Sequence, residues 1–302
     1  MSEKALLFVH ALTSLYPGSG VALGAVDLPV QRERHTAWPL IPGSSLKGIL
    51  RDACRRNNGD TNELYAVFGP ETSDAHDHAG ALSLTDARIL AFPVRSLRGV
   101  FAWVTCPAVL ERLSRDLSLA GTAGLQGIPR PEKEGVACAE NSPLLVDGNK
   151  MVLEEFEFTR TAGANPTAGW IANHATQDAP TQNRVGTHLA VLHDDDFTHF
   201  VRHATEIVAR VGLDYERKTV KQGALFFQEF LPAETFFYSL VIAEDSRRMI
   251  IADGSRRKDA EKNAAWTLRY AKDHVPPVLQ IGGSETIGKG LCALRLIASK
   301  EV

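Results

Sequence analysis

The sequence reads as an α+β protein. Lys4–Leu12 (KALLFVHAL) and Gly99–Cys106 (GVFAWVTC) are apolar on both faces, as covered strands are. Leu46, Ile49, Leu50 and Ala53 recur at i, i+3, i+4 and i+7, the period of one helical face. With 302 residues the chain could be one large domain or two, and it is long enough to bury a sizeable core.

In chain order, residues 4–12 form the opening strand, and His10 inside it reads as a satisfied core residue. A glycine loop follows, then a helix over 45–56 closed by the turn residues Asn57-Asn58-Gly59-Asp60. Residues 69–80 read as a polar loop whose Asp74, His76, Asp77 and His78 lack a strong metal-ligand spacing. Strands are expected over 81–90 and 99–106, and Pro107 suits the first turn of a helix with Leu110, Leu113 and Leu117 inward. Gly121–Gly135 is loop-like, and Leu144–Val146 and Lys150–Phe158 pair as a hairpin about Asp147-Gly148-Asn149.

Residues 161–187 lack a sustained apolar period, so they read as an inserted lobe or an irregular functional loop. A strand near 187–192 precedes Asp194-Asp195-Asp196, where negative charge favours a helix start. That helix is expected over 196–209, with strands near 210–214, 223–231 and 235–243 and a projecting tip at 214–223 bearing Arg217, Lys218 and Lys221. A last helix is expected over 255–272, with Ala260, Ala264 and Leu268 inward.

Charged residues make up 23% and apolar residues 44%, ordinary for a soluble globular chain. The net charge of −3 hides two basic clusters: six Lys or Arg against two acids over 31–56, and eight against three over 247–272. Cys54, Cys106, Cys138 and Cys292 are scattered, which indicates neither a zinc knuckle nor a disulfide framework. With no signal peptide and no long apolar span, a cytoplasmic protein without a membrane partner is expected.

The most informative stretch is Tyr16–Arg56. Gly18, Gly20 and Gly24 make a flexible loop, and Asp27 follows as a solitary carboxylate. Arg32, Arg34 and His35 form a basic segment. Pro42-Gly43-Ser44-Ser45 then introduces the helix, with Ser44 or Ser45 as N-cap and Gly43 allowing close backbone approach. Lys47, Arg51 and Arg55 make a basic row behind a helix start able to hold a phosphate. Near the C-terminus, Gly283–Gly290 almost spells a nucleotide-binding loop. Gly290 stands where that motif needs Ser or Thr, so a loop holding an RNA phosphate through N–H groups and Lys289 is the better reading.

LGAVDLPVQRERHT followed by PLIPGSSLKGILR resembles the backbone subunit of type III-B CRISPR effector complexes, the Cmr-type RAMP proteins of the Cas-seven superfamily. DHAGALSLTDARILAFPVRSLRGVFAWVTCP (77–107), TVKQGALFFQEFLPAETFFYSLV (219–241) and PPVLQIGGSETIGKGL (276–291) extend the likeness nearly end to end. The resemblance implies an RRM-like (ferredoxin-like) core sheet in a single domain, 1–302, with large insertions including a thumb-like β-hairpin and inserted lobes near 58–80, 121–187 and 214–230. It implies copies stacked in a helical filament on a guide CRISPR RNA, beside other subunits of the Cmr complex. It further implies cleavage of a complementary single-stranded target RNA, assisted by Mg2+ or Mn2+.

On this resemblance Asp27 is the catalytic carboxylate, as a metal ligand or as proton acceptor from the attacking 2′-hydroxyl. Tyr16 stands where the family often has His, and Gln228-Glu229-Phe230 where it commonly has two acids and a tyrosine; Glu229 and Lys47 are the expected helpers. RNA contacts are expected from Gly18, Gly20, Arg32, Arg34, His35, Gly43, Ser44, Ser45, Lys47, Arg51, Gly282, Gly283, Gly288, Lys289 and Gly290. Alternatives are a scaffold subunit that binds RNA without cutting, and a repeat-RNA processing enzyme of the same superfamily.

Overall fold

The computed structural model describes residues 2–22, 24–57, 60–214, 216–217, 219–252, 255–259, 261–298 and 301. The expected Asn58-Gly59 turn, Lys218 and Ala260 lie outside them. The chain runs β1 (Glu3–Ala11), β2 (Leu40–Ile41), α1 (Gly43–Asn57), α2 (Thr61–Phe68), β3 (Leu82–Leu84), β4 (Ala87–Arg95), β5 (Phe101–Thr105) and α3 (Pro107–Ala120). Then come β6 (Gly135–Cys138), β7 (Leu145–Val146), β8 (Lys150–Leu153), β9 (Phe156–Ala162), α4 (Asn165–Ala175), α5 (Ala179–His188), β10 (Leu189–Leu192) and α6 (Asp194–His203). It closes with β11 (Glu206–Asp214), β12 (Thr219–Phe230), β13 (Phe236–Ala243), β14 (Met249–Ala252), β15 (Ser255–Lys258), α7 (Ala264–His274), β16 (Val278–Gln280) and β17 (Leu291–Ala298).

One mixed sheet of 13 strands forms the frame, in the order β16-β17-β1-β13-β4-β5-β10-β6-β9-β8-β7, with β2 on β4 and β3 on β13. β1 lies between β13 and β17, antiparallel to both, and Ala5 to Val9 are buried. His10 is 4% exposed, stacks on Phe236 at 4.1 Å and bonds Glu234 at 2.9 Å, as a core histidine should. β11 and β12 stand apart from the main sheet as an antiparallel hairpin, and β14 and β15 as another.

Several boundaries differ from the sequence reading, each for a physical reason. Helix α1 starts at Gly43, so Ser44 and Ser45 lie inside its first turn. The cap comes from a distant carboxylate: Gly43 N donates to Asp86 Oδ1 at 2.7 Å. Residues 161–187 hold helices α4 and α5. The inward face of α4 is Ala168, Ile171, Ala172 and Ala175, a helical period written mostly in alanine, which carries little hydrophobic signal. Helix α6 ends at His203, and Glu206 already belongs to β11. Ser255–Lys258 is a strand, and α7 begins only at Ala264, capped by Asn263. Lys150–Phe158 is two strands joined at Glu154 and Glu155. An additional helix, α2, follows Asp60, whose carboxylate caps it.

Replacing Asp86 with alanine removes the only side-chain acceptor found for Gly43 N among the described residues. Urea unfolding of Asp86→Ala is expected to show a loss of about 1 kcal/mol.

Candidate nucleic-acid interface

Residues 15–32 run along the base of hairpin β11–β12. Leu15 pairs with Leu231, Leu28 bridges Gln228, and Gly18 bridges Val30. On its other side the segment meets the C-terminal turn: Tyr16 bridges Gly282, and Gly283 N donates to Tyr16 O at 2.9 Å. Only glycine fits at 282, because φ is +79° and an added methyl would run into the Tyr16 carbonyl.

A cleft of about 210 Å³ results, lined by Tyr16, Gly18, Pro42, Ser45, Gly282 and Gly283 among others. Tertiary packing thus joins both glycine turns to the start of α1. Ser44 and Ser45 are exposed, and their amides have no acceptor among the described residues. Two early helix N–H groups therefore remain available to an anion beside this cleft.

Other expected donors are already used. The amides of Gly283, Gly288, Lys289 and Gly290 donate to Tyr16, Glu285, Ser284 and Ser14 carbonyls. They hold the turn's shape and cannot also cradle a phosphate; Lys289 keeps its ammonium, 5.0 Å from the Phe230 ring centre. Gly43 is buried, and its close approach is to the chain itself: an added Cβ would lie 2.8 Å from Leu84 O. Gly20 and Gly288 stand in open space.

The basic residues divide in the same way. Arg32 donates to Ala37 O, Val201 O and Glu229 Oε1, at 2.8, 2.9 and 2.5 Å. Glu229, 6% exposed, also accepts from Thr205 Oγ1 at 2.9 Å and Val30 N at 3.0 Å. Half-buried Arg32 and buried Glu229 are thus a structural pair, contrary to the RNA contact and catalytic help expected of them. Arg51 is held by Pro70 O at 3.0 Å and Glu71 at 3.2 Å, and Arg55 by Asp52 at 2.6 Å. Arg34 is exposed and has no ion-pair partner among the described residues. His35, also exposed, contacts Arg112 at 3.1 Å. Lys47 is half-buried, and desolvation together with the charges of Arg51 and Arg247 lowers its pKa.

Asp27 differs from these engaged groups. Its Oδ2 accepts from Phe227 N at 2.7 Å, and its own N–H donates to Phe227 O at 3.1 Å. These bonds fix the carboxylate against β12, while Oδ1 has no partner among the described residues. Tyr16 lies on the same segment, its ring 5.7 Å from that of Phe230. Burial, then the charge of Glu229, raises the Tyr16 pKa above its usual value. It is protonated at neutral pH and can donate a proton but not accept one.

Two residues were missed by sequence reasoning. Arg210 donates to the buried Gln228 at 2.7 Å, and Ser284 contacts Gln228 at 3.3 Å. They join β11, β12 and the C-terminal turn behind the cleft. A lone Arg inside a strand gives no local sign of that role.

A segment that lines a cleft near free helix amides and also carries a fixed carboxylate is an arrangement for a phosphodiester strand. The chain belongs to the RAMP superfamily, whose family model matches residues 8–293. It is 38% identical over 295 residues to "CRISPR system Cmr endoribonuclease Cmr4" of Pyrococcus furiosus, covering 96% of this chain and 95% of that one. The crystal structure of oligomeric Cmr4 from Pyrococcus furiosus superposes with a TM-score of 0.75 at 32% identity, covering 98% of this chain and 99% of the other. A chain of the type III-B Cmr-beta complex bound to cognate target RNA gives 0.73 at 22% identity, with 97% and 96% covered, a likeness of fold.

Two measurements separate the roles. Glu229→Ala strands the Arg32 charge and should cost roughly 3 kcal/mol in denaturant unfolding, whereas Asp27→Asn should stay close to wild type. In RNA cleavage assays on the assembled complex, the Tyr16→Phe profile between about pH 6 and 9 should match wild type in shape, because this hydroxyl does not titrate there.

Proposed function

We propose that this chain is the guide-RNA-binding backbone subunit of a type III-B CRISPR effector complex and cuts complementary target RNA. On this reading its copies line up along the guide, other Cmr subunits complete the particle, and the cell compartment is the cytoplasm. The four cysteines, all buried and free, are consistent with a reducing compartment. Among the described residues no helix is long and apolar enough to cross a membrane. The finer fold reading is an RRM-like core within the large sheet, with β11–β12 as the thumb.

The observation that carries this reading is Asp27: a carboxylate fixed through Oδ2 by the β12 backbone, with Oδ1 free among the described residues, on the same segment whose Tyr16 and Gly18 line the cleft. Guide pairing would supply sequence recognition while the protein holds backbone and shape. In the cut, a target 2′-hydroxyl attacks its own phosphorus, the 2′-proton is taken up, and the 5′-oxygen leaves. Asp27 Oδ1 is the candidate acceptor of that proton.

The resemblance also implies Mg2+ or Mn2+. Among the described residues no three His, Cys, Asp or Glu side chains gather to hold a metal. The free oxygen of Asp27 nevertheless suits a cation bound mainly by RNA phosphate and water, the usual habit of Mg2+. Such an ion would neutralise charge on the scissile phosphate. Lys47 has no anionic partner among the described residues, and a nearby RNA phosphate would supply one.

Asp27→Asn tests the reading without disturbing the Phe227 N bond, since an amide oxygen can still accept it. Reconstituted with guide RNA and partner subunits, the variant should assemble and capture target normally but lose cutting by about 100-fold or more. Undiminished cutting would remove Asp27 from the chemistry. Intact target with the wild-type complex, in Mg2+ or Mn2+, would leave a non-cutting scaffold. Processing of precursor repeat RNA by the lone chain would identify a processing enzyme instead.

A further inference from the structure

Arg210 carries a charge that no acid neutralises among the described residues. It lies in β11 opposite Phe226 of β12, and its half-buried guanidinium sits 5.8 Å from the Phe226 ring centre. Nη1 donates to Gln228 Oε1 at 2.7 Å and contacts Ser284 Oγ at 3.5 Å. Both partners are neutral, and Nε and Nη2 have no acceptor among the described residues. Arg32 and Arg112, half-buried likewise, each meet a carboxylate instead, Glu229 at 2.5 Å and Glu33 at 2.8 Å. Glu206, the acid on the same face of β11, is four residues from Arg210, roughly 13 Å along the strand, and accepts from Ser14 at 2.8 Å. A guanidinium drawn partly out of water, aimed by neutral groups and left with unused N–H donors, is suited to an anion.

A second cation stands on the same face. Side chains alternate along a strand, so Phe226, Gln228 and Phe230 point to one side of β12. Lys289 Nζ lies 5.0 Å from the Phe230 ring centre and has no ion-pair partner among the described residues. Gln228, 2% exposed, lies between the two aromatic rings in the strand and donates to Ser284 Oγ at 3.3 Å. Arg210 and Lys289 thus flank a neutral, well-bonded centre.

The strand also couples this pair to Asp27. Phe227 N holds Asp27 Oδ2 at 2.7 Å, and the next residue, Gln228, holds Arg210. Adjacent Cα atoms are about 3.8 Å apart, so one step of backbone sets both groups. Leu28, the residue after Asp27, bridges Gln228 itself. A guanidinium fork matches the oxygens of a phosphate, and a carboxylate set by the same backbone accepts a proton near it.

We propose that Arg210, together with Lys289, binds a phosphate of the RNA strand that Asp27 cuts. The proposal rests on the reading that this chain cuts target RNA, and adds to it the group that receives the charge. As the 2′-oxygen bonds to phosphorus and the 5′-oxygen leaves, negative charge on the phosphate oxygens is met by the fixed guanidinium. Arg210 itself gives up no proton.

Two measurements test it. Binding of a short single-stranded RNA by the full chain is followed against salt. Each phosphate contact to a single strand contributes about 0.7 to the log–log slope. Arg210→Gln, which removes the charge but keeps a donor for Gln228, should flatten the slope by about 0.7, and Arg210→Lys should keep it. A guanidinium that only braces Gln228 would alter affinity without altering the slope. Lys289→Met should flatten the slope equally from a separate segment, and melting curves show that each variant is folded. In the complex reconstituted with guide RNA and partner subunits, Arg210→Gln should retain the guide and cut saturating target about 100-fold more slowly, with Arg210→Lys between it and wild type.

An unaltered slope in both neutral variants overturns the proposal. So does loss of the guide from Arg210→Gln with the cutting rate of the remaining loaded complex unchanged, which would give the phosphate to the guide strand. Wild type that shows the expected slopes but leaves target intact removes the cutting reading and leaves the phosphate contact standing. Cutting by wild type with unaltered slopes in the variants does the reverse.

Discussion

Glu229 anchors the interface because its buried charge draws three segments to one point. Its carboxylate receives the Arg32 guanidinium, the Val30 amide and the Thr205 hydroxyl, and Arg32 in turn donates to the Val201 carbonyl. A carboxylate removed from water must find such partners or lose its charge. Meeting that demand ties the segment bearing Asp27 to β12, and ties both to the end of α6. The path from Tyr16 to Val30 then follows, and with it the placing of Asp27 against Phe227 N.

Rigidity at this interface comes from spending backbone donors internally. The C-terminal turn uses the amides at 283, 288, 289 and 290 on its own chain. Among the described residues, what remains for a ligand is small: two serine amides at the start of α1, the Arg34, Lys47, Arg210 and Lys289 charges, and one oxygen of Asp27. A site with few free groups on a well-bonded frame is pre-organised, and little ordering entropy remains to be lost when a strand binds. The exposed apolar side chains of β11–β12, including Ile207, Val211 and Leu225, leave the hairpin with an oily surface for a partner to cover.

Much of the frame was legible locally. The opening strand, the helix behind Pro107, the acidic start of α6 and the apolar face of α1 were all written in period, cap and charge. The alanine-rich α4 escaped, because small side chains carry a weak hydrophobic signal even at perfect helical spacing. Ser255–Lys258 was misread because a run of Arg and Lys has no apolar period to tell a strand from a helix. At the site, the glycines, Ser45, Asp27 and Lys289 were visible as residue types suited to phosphate.

Residue types and spacings determined that the chain is α+β, that its core is large, and that two glycine turns and a basic helix start are suited to RNA. Only tertiary structure decided which of those groups are free. Arg32 and Glu229 read as functional charges until each is seen to neutralise the other, and Gly43 reads as a ligand-facing glycine until backbone is found against it. Sequence specifies what a side chain is able to do. Whether it remains available depends on contacts between segments nearly 200 residues apart, since a donor or charge satisfied within the fold has little left to offer a ligand.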